Sequence, residues 1–217
     1  AAGHPARRPR AAEHQGHAVN VVLVDSGGAN IGSVRYALER LGVQARVSGD
    51  ADAIRAADRV ILPGVGAARP AMARLDALGL VPTLRALERP LLGICLGMQL
   101  LFESSEEGDV VCLGRLPGQV TRLPESPGVR VPHMGWNRLQ PTRESSLLRG
   151  VPEGSQAYFV HSYAAPVTSD CLATCGHGVD FAAVVQRGNV AGAQFHPERS
   201  AAVGARLLKN FLEDGLA

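Results

Sequence analysis

Apolar residues in this chain come in short runs separated by glycine, proline and small polar residues, and the runs change character about halfway along. Val19-Asn20-Val21-Val22-Leu23-Val24 is β-branched and of strand length, ending at Asp25 and the turn Ser26-Gly27-Gly28-Ala29-Asn30. A helix is expected from about Ile31 to Leu41, stopped by Gly42. Val43 to Val47 reads as a second strand, Asp52 to Ala57 as a short helical turn, and Arg59-Val60-Ile61-Leu62 as a third strand running into Pro63-Gly64-Val65-Gly66. Pro70 to Leu75 and Pro82 to Leu87 read as helical, and Leu91-Leu92-Gly93-Ile94-Cys95 as a strand that breaks abruptly into a helix. Strands apolar throughout, alternating with helices, predict an α/β fold: an open, mostly parallel sheet flanked by helices.

After Glu103 the texture changes. Glu106-Glu107-Gly108-Asp109 is a polar loop, and shorter strand-like pieces follow near Val110 to Leu113, Gln119 to Leu123, Asn137 to Leu139, Tyr158 to His161, Cys171 to Cys175, Phe181 to Gln186 and Val190 to Phe195. Joined by turns containing proline and glycine, they predict an antiparallel extension of the sheet. An amphipathic helix from about Ser200 to Leu212 closes the chain. Residues 1–18 lack apolar periodicity and are expected to be a disordered extension or a tag remnant, which leaves residues 19–217 as one domain.

Composition narrows the function classes. A chain of 217 residues with 46% hydrophobic and 19% charged residues supports one sizeable core. Its formal charge of +2 is spread along the chain apart from Arg7-Arg8-Pro9-Arg10, so no nucleic-acid footprint is present. No apolar run approaches membrane-spanning length, and Cys95, Cys112, Cys171 and Cys175 come without a secretory signal, which predicts a cytoplasmic protein with reduced thiols. The glycines at 27, 28 and 32 do not form a dinucleotide fingerprint, and no lysine follows to make a phosphate-binding loop. Cys171, Cys175 and His177 lie on one short segment with no fourth ligand evident, so no metal site is expected.

The candidate chemistry centres on Cys95. Gly93 and Gly97 stand two residues to either side, the spacing of a nucleophile elbow, in which a strained turn lifts the nucleophile above the sheet. A cysteine at the first turn of a helix faces free N–H groups, which favour thiolate. Gln99, four residues on, shares its helix face. Taken alone, Cys95 fits equally well as a small buried hydrophobe among packing glycines. A hundred residues later, His196-Pro197-Glu198 follows another strand; in an extended segment His196 and Glu198 share one side, giving a base and its orienter for a Cys-His-Glu triad. The alternative is a surface turn.

Gly-Ile-Cys-Leu-Gly-Met-Gln-Leu-Leu-Phe-Glu (93–103), Gln-Phe-His-Pro-Glu-Arg-Ser (194–200) and Pro-Gly-Val-Gly (63–66) together resemble the class I glutamine amidotransferases. Pro132-His133-Met134-Gly135-Trp136-Asn137 and Tyr158-Phe159-Val160-His161-Ser162-Tyr163 are similar to the glutaminase subunits of imidazole glycerol phosphate synthase. The resemblance implies that Cys95, His196 and Glu198 are catalytic and that glutamine is hydrolysed through a cysteine thioester, with no cofactor. The developing oxyanion needs two donors, assigned to the N–H of Leu96 and an N–H from Gly64-Val65-Gly66. By similarity Gly66, Gln99, His161, Ser162 and Tyr163 would hold glutamine, His161 having the alternative of a satisfied core histidine. The resemblance further implies a (βα)₈-barrel cyclase subunit as partner, facing Met134, Trp136 and Tyr158; the alternative for these three is ordinary core.

Overall fold

The computed structural model describes residues 19–26 and 30–216, so the expected extension at 1–18 and Gly27, Gly28 and Ala29 of the first turn lie outside the described residues. Four strands of the first half, β1 (Val21–Val24), β2 (Arg46–Ser48), β3 (Arg59–Gly64) and β4 (Leu91–Cys95), alternate with helices α1 (Ile31–Arg40), α2 (Ala51–Ala56), α3 (Ala68–Ala77) and α4 (Leu80–Arg85). A four-residue helix, α5 (Leu96–Gln99), leaves the end of β4 directly. The second half holds β5 (Ser104–Ser105), β6 (Val110–Val111), β7 (Gln119–Arg122), β8 (His133–Arg138), β9 (Gln140–Pro141), β10 (Gln156–His161), β11 (Tyr163–Ala164), β12 (Cys171–His177), β13 (Val179–Arg187) and β14 (Val190–Ala193), before the closing helix α6 (Ala201–Asp214).

Eight strands form the main sheet in the order β2-β1-β3-β4-β14-β13-β12-β9. From β2 to β14 the pairs are parallel, and from β14 to β9 they are antiparallel, which is the expected parallel sheet with its extension. The period of two sorts the apolar strands onto two cores. Val21, Leu23, Ile61, Leu92 and Ile94 pack toward Val34 and Leu38 of α1 and Leu207 and Phe211 of α6. Val22, Val24, Val60, Leu62 and Leu91 face the other way, onto Ile54 of α2, Leu75 of α3 and Leu80 and Leu84 of α4. Two smaller sheets, β8–β10 and β11-β7-β5-β6, lie over the carboxyl end of β4, where the Val160 oxygen is 3.9 Å from the Cys95 thiol and the Tyr163 oxygen accepts from Gln99 of α5.

Element boundaries differ from the sequence reading in three informative places. The strand expected at Val43 to Val47 pairs only over Arg46–Ser48; Val43 and Ala45 still pack on the core, but β1 offers partners only from Val22 onward. The helix after Cys95 ends at Gln99, where the N–H groups of Leu101 and Phe102 donate three residues back to Met98 and Gln99, and the carbonyls of Leu100, Leu101, Phe102 and Glu103 accept from Leu113, Arg115 and Leu116, Gly114 and Cys112 instead of from a further turn. Glu198 sits in a 3-10 turn, Pro197–Arg199, rather than in an extended segment, with His196 keeping extended angles just before it.

The elbow rests on one close approach. A Cβ on Gly97 would lie 1.8 Å from the carbonyl oxygen of Leu62, and one on Gly93 would lie 2.6 Å from the carbonyl oxygen of Gly97. Gly97→Ala should therefore cost about 3 kcal/mol or more, since rigid backbone on β3 must move. Gly32, exposed in α1 with nothing within 4 Å of its would-be Cβ, is the control: Gly32→Ala should stabilise by about 0.4–1 kcal/mol. Urea unfolding of both variants checks the contrast, and similar midpoints would contradict it.

Candidate active site

Pairing of β14 beside β4, both parallel, brings two distant parts of the chain to one edge. Ala193 registers with Ile94, so the residues that follow, Gln194 to Glu198, emerge next to Cys95. Cys95 ends β4 and precedes α5 with φ 53° and ψ −111°, a conformation that L-residues avoid and that costs about 1–3 kcal/mol. Its side chain makes no hydrogen bond to the N–H groups of α5. The sulfur instead lies 3.9 Å from the carbonyl oxygen of Val160 and 3.8 Å from Nε2 of Gln194, with the His196 ring near enough for the two to interact electrostatically. The surroundings of the sulfur are thus set by other segments of the chain rather than by the four-residue helix.

His196 Nδ1 lies 2.9 Å from Oε1 of Glu198, whose side chain is 1% exposed. The same oxygen accepts from the side-chain amide of Asn30, while Oε2 is buried with no partner among the described residues. The His196 backbone is anchored too: its N–H donates to Tyr158 O at 3.0 Å, and Ser200 Oγ donates to its carbonyl at 2.7 Å. Burial pulls the imidazole toward neutrality, but hydrogen bonds and charges from Cys95 and Glu198 outweigh it and push the pKa up to about 10. A positively charged ring between sulfur and carboxylate is the resulting state.

In front of these groups lies a cleft of about 330 Å³ lined by Cys95, Leu96, His196, Val65 and Gly66, with Gln99, His161, Ser162 and Tyr163 on its walls. Nine residues singled out from the sequence therefore meet there. Gly64 does not line it; it packs beneath the elbow, where a Cβ would lie 2.9 Å from the Gly97 nitrogen. Glu198 stands behind His196. A larger groove of about 880 Å³ along residues 141–151 holds neither cysteine nor histidine.

His161 lines the cleft with both nitrogens occupied. Nδ1 is 2.9 Å from Tyr163 O, an obligate acceptor, so Nδ1 carries the proton and Nε2 accepts from His133 Nδ1 at 3.0 Å. Asn137 Nδ2, 3.1 Å from His133 Nε2, ends this chain of donors. Burial, outweighing the bond to Tyr163, lowers the His161 pKa to about 3; burial and the neighbouring His177 lower that of His133 to about 4. Both are neutral rings, His161 on the wall of the cleft and His133 behind it.

Among the residues at the site that the sequence reading did not single out are Glu107 and Gln194. Glu107 lines the cleft, its Oε2 accepting from the Ala68 N–H at 2.9 Å, and burial raises its pKa despite that bond. Nothing in a four-residue polar loop marks which carboxylate turns inward. Gln194, fully buried, did leave a signal: it is the one polar residue in the apolar run Val190 to Phe195. Met134 and Trp136 are 64% and 52% exposed, so they are surface rather than core, and Trp136 meets the half-buried Tyr158 edge-on at 5.9 Å. Among the described residues no group of three or more His, Cys, Asp or Glu is arranged to hold a metal ion, and no helix is long and apolar enough to cross a membrane.

The family described as glutamine amidotransferase class-I matches residues 22–214. The imidazole glycerol phosphate synthase subunit HisH of Xanthomonas euvesicatoria pv. vesicatoria is 68% identical over 194 residues, covering 89% of this chain and 97% of that protein. HisH of Xylella fastidiosa strain Temecula1 is 65% identical over 193 residues, covering 89% and 96%. The glutaminase domain of Trypanosoma brucei CTPS with bound acivicin shares the fold, with a TM-score of 0.64 at 16% identity, covering 92% of this chain and 95% of that one. A strained cysteine facing a carboxylate-backed histidine, on a sheet of this order and in a sequence this close to its relatives, makes the chain a member of the class-I glutamine amidotransferase family, within the HisH subunits of imidazole glycerol phosphate synthase.

Proposed function

We propose that this chain hydrolyses glutamine to glutamate and ammonia and supplies the ammonia to a (βα)₈-barrel cyclase subunit, which makes imidazole glycerol phosphate and aminoimidazole carboxamide ribonucleotide in histidine biosynthesis in the cytoplasm. The observation that carries this reading is the meeting of Cys95 and His196 on an amino-acid-sized cleft, with Glu198 behind the imidazole. The Cys95 thiolate attacks the side-chain amide carbon of glutamine, and the His196 imidazolium gives its proton to the departing ammonia. Now neutral, His196 takes a proton from water, which hydrolyses the glutamyl thioester and restores the starting state. Glutamine and water account for every atom of the products.

The oxyanion is held by the N–H of Leu96 and by an N–H of the Gly64-Val65-Gly66 loop, where Val65 and Gly66 face the cleft. One such donor is worth ~3 kcal/mol, so a loop peptide turned away leaves the lone subunit nearly idle. Gly66, Gln99, His161, Ser162 and Tyr163 surround the rest of the substrate, and the Glu107 carboxylate faces its α-ammonium. Met134, Trp136 and Tyr158, on the outward face of β8–β10, receive the cyclase.

Purified chain alone should hydrolyse glutamine feebly, and adding the cyclase subunit with its nucleotide should raise the rate; equal rates with and without it would contradict the coupling. His196→Asn should lower kcat by about 10²–10⁴-fold. Glu107→Gln should raise KM about tenfold with kcat nearly unchanged, as expected for loss of a charged contact made equally before and during reaction.

A pH experiment tests the ion pair. Unfolded histidine titrates near ~6.5 and His196 in the folded chain near about 10, so its stabilising contribution is complete below the lower value and is lost as pH rises through the upper one. Imidazole nitrogen NMR at pH 8 should show His196 protonated while His133 and His161 remain neutral even at pH 6. A neutral His196 at pH 7 would overturn the assignment.

A further inference from the structure

The sulfur of Cys95 sits between a group that can only accept a hydrogen bond and a group that can only donate one. The Val160 carbonyl oxygen, 3.9 Å away, favours the thiol, whereas the Nε2 of Gln194, 3.8 Å away, favours the thiolate. Which end of the Gln194 amide faces sulfur is decided by a second amide. Gln99 Nε2 donates to the Tyr163 backbone oxygen at 2.8 Å and to Gln194 Oε1 at 3.0 Å. The backbone oxygen admits only a donor, which fixes Gln99; Gln99 then offers its remaining proton, which fixes Gln194 with oxygen toward Gln99 and nitrogen toward sulfur. Exchanging O and N on Gln194 would set one NH₂ group against another. Both side chains are buried, Gln194 completely, and the Gln194 backbone is tied to β13 through its N–H bond to Ala183 O at 2.9 Å.

We propose that Gln194 is a further catalytic residue: its side-chain amide, oriented by Gln99 and the Tyr163 carbonyl, donates to the Cys95 sulfur and holds it as the thiolate. The proposal rests on the reading of Cys95 as the nucleophile. Gln194 does not line the cleft, so it touches the reacting sulfur without touching glutamine. Because every group in the relay belongs to this chain, the thiolate is prepared before any partner binds, and partner activation acts elsewhere, on the oxyanion loop.

The test follows the rate of Cys95 alkylation by iodoacetamide in the full chain from pH 5.5 to 9.5, reading the Cys95 peptide by mass spectrometry. Burial raises the pKa of Cys112 to about 11 and of Cys175 to about 12, and raises that of Cys171, so they stay unreactive near neutrality. In Gln194→Met, a similar volume without a donor, the rate–pH curve should move up by about one unit, and alkylation at pH 7 should fall about tenfold. Gln99→Met, which frees the Gln194 amide to turn, should shift the curve the same way by less, and it decides the matter if Gln194→Met does not fold. With the cyclase present, Gln194→Met should lose kcat for glutamine while keeping KM. Wild-type curves in the folded variants would overturn the relay and leave the glutaminase reading standing. Shifted curves in a protein that hydrolyses no glutamine with the cyclase would instead overturn that reading alone.

Discussion

Backbone contact between α5 and β3 is the constraint on which the site depends. With the Leu62 oxygen standing where residue 97 would carry a Cβ, the chain descends from Cys95 into the sheet and turns at once, and Cys95 takes the positive φ that this turn demands. Such strain persists only where surrounding structure over-determines it. Here the surroundings are two packed cores and a parallel ladder on both sides of β4. The Cys95 side chain is aimed by backbone geometry, before any other side chain contributes.

The second ingredient is the electrostatic difference between histidines that share one neighbourhood. His161 and His133 are buried among neutral partners and stay neutral, one locked to a backbone oxygen and the other to an asparagine amide. His196 is about as buried, but it lies between a sulfur and a carboxylate. The carboxylate is itself held on one oxygen by Asn30, across 168 positions of sequence. Burial that keeps two rings neutral therefore strengthens the charge interactions that keep the third one charged.

Much of this was legible in the sequence, and the reasons differ by element. Strands apolar at every position require a sheet covered on both faces, and Val21 to Val24 divide between the two cores as that requires. Gly93, Cys95 and Gly97 were legible because their spacing encodes a backbone turn, a local property. The reach of α5 was not local: the carbonyls of Leu100 to Glu103 are taken by N–H groups from Cys112 to Leu116. Glu107 was invisible for a related reason, since only the folding of residues 104–111 over the start of α3 distinguishes it from Glu106. His196 and Glu198 do meet, but through a 3-10 turn rather than through strand alternation. The β8–β10 ribbon joins two roles that the sequence kept apart: Met134 and Trp136 point outward, while His133 pairs inward with His161 and the Tyr158 and Val160 carbonyls reach His196 and Cys95.

The central claim is that Cys95, activated by His196, is the atom to which glutamine becomes bonded. Its most direct test is to treat the purified chain, together with the cyclase subunit, with an electrophilic glutamine analogue and to map the adduct by mass spectrometry. The account predicts one adduct, on Cys95, prevented by excess glutamine. An adduct on Cys112, Cys171 or Cys175, or one on Cys95 that glutamine does not prevent, would contradict it.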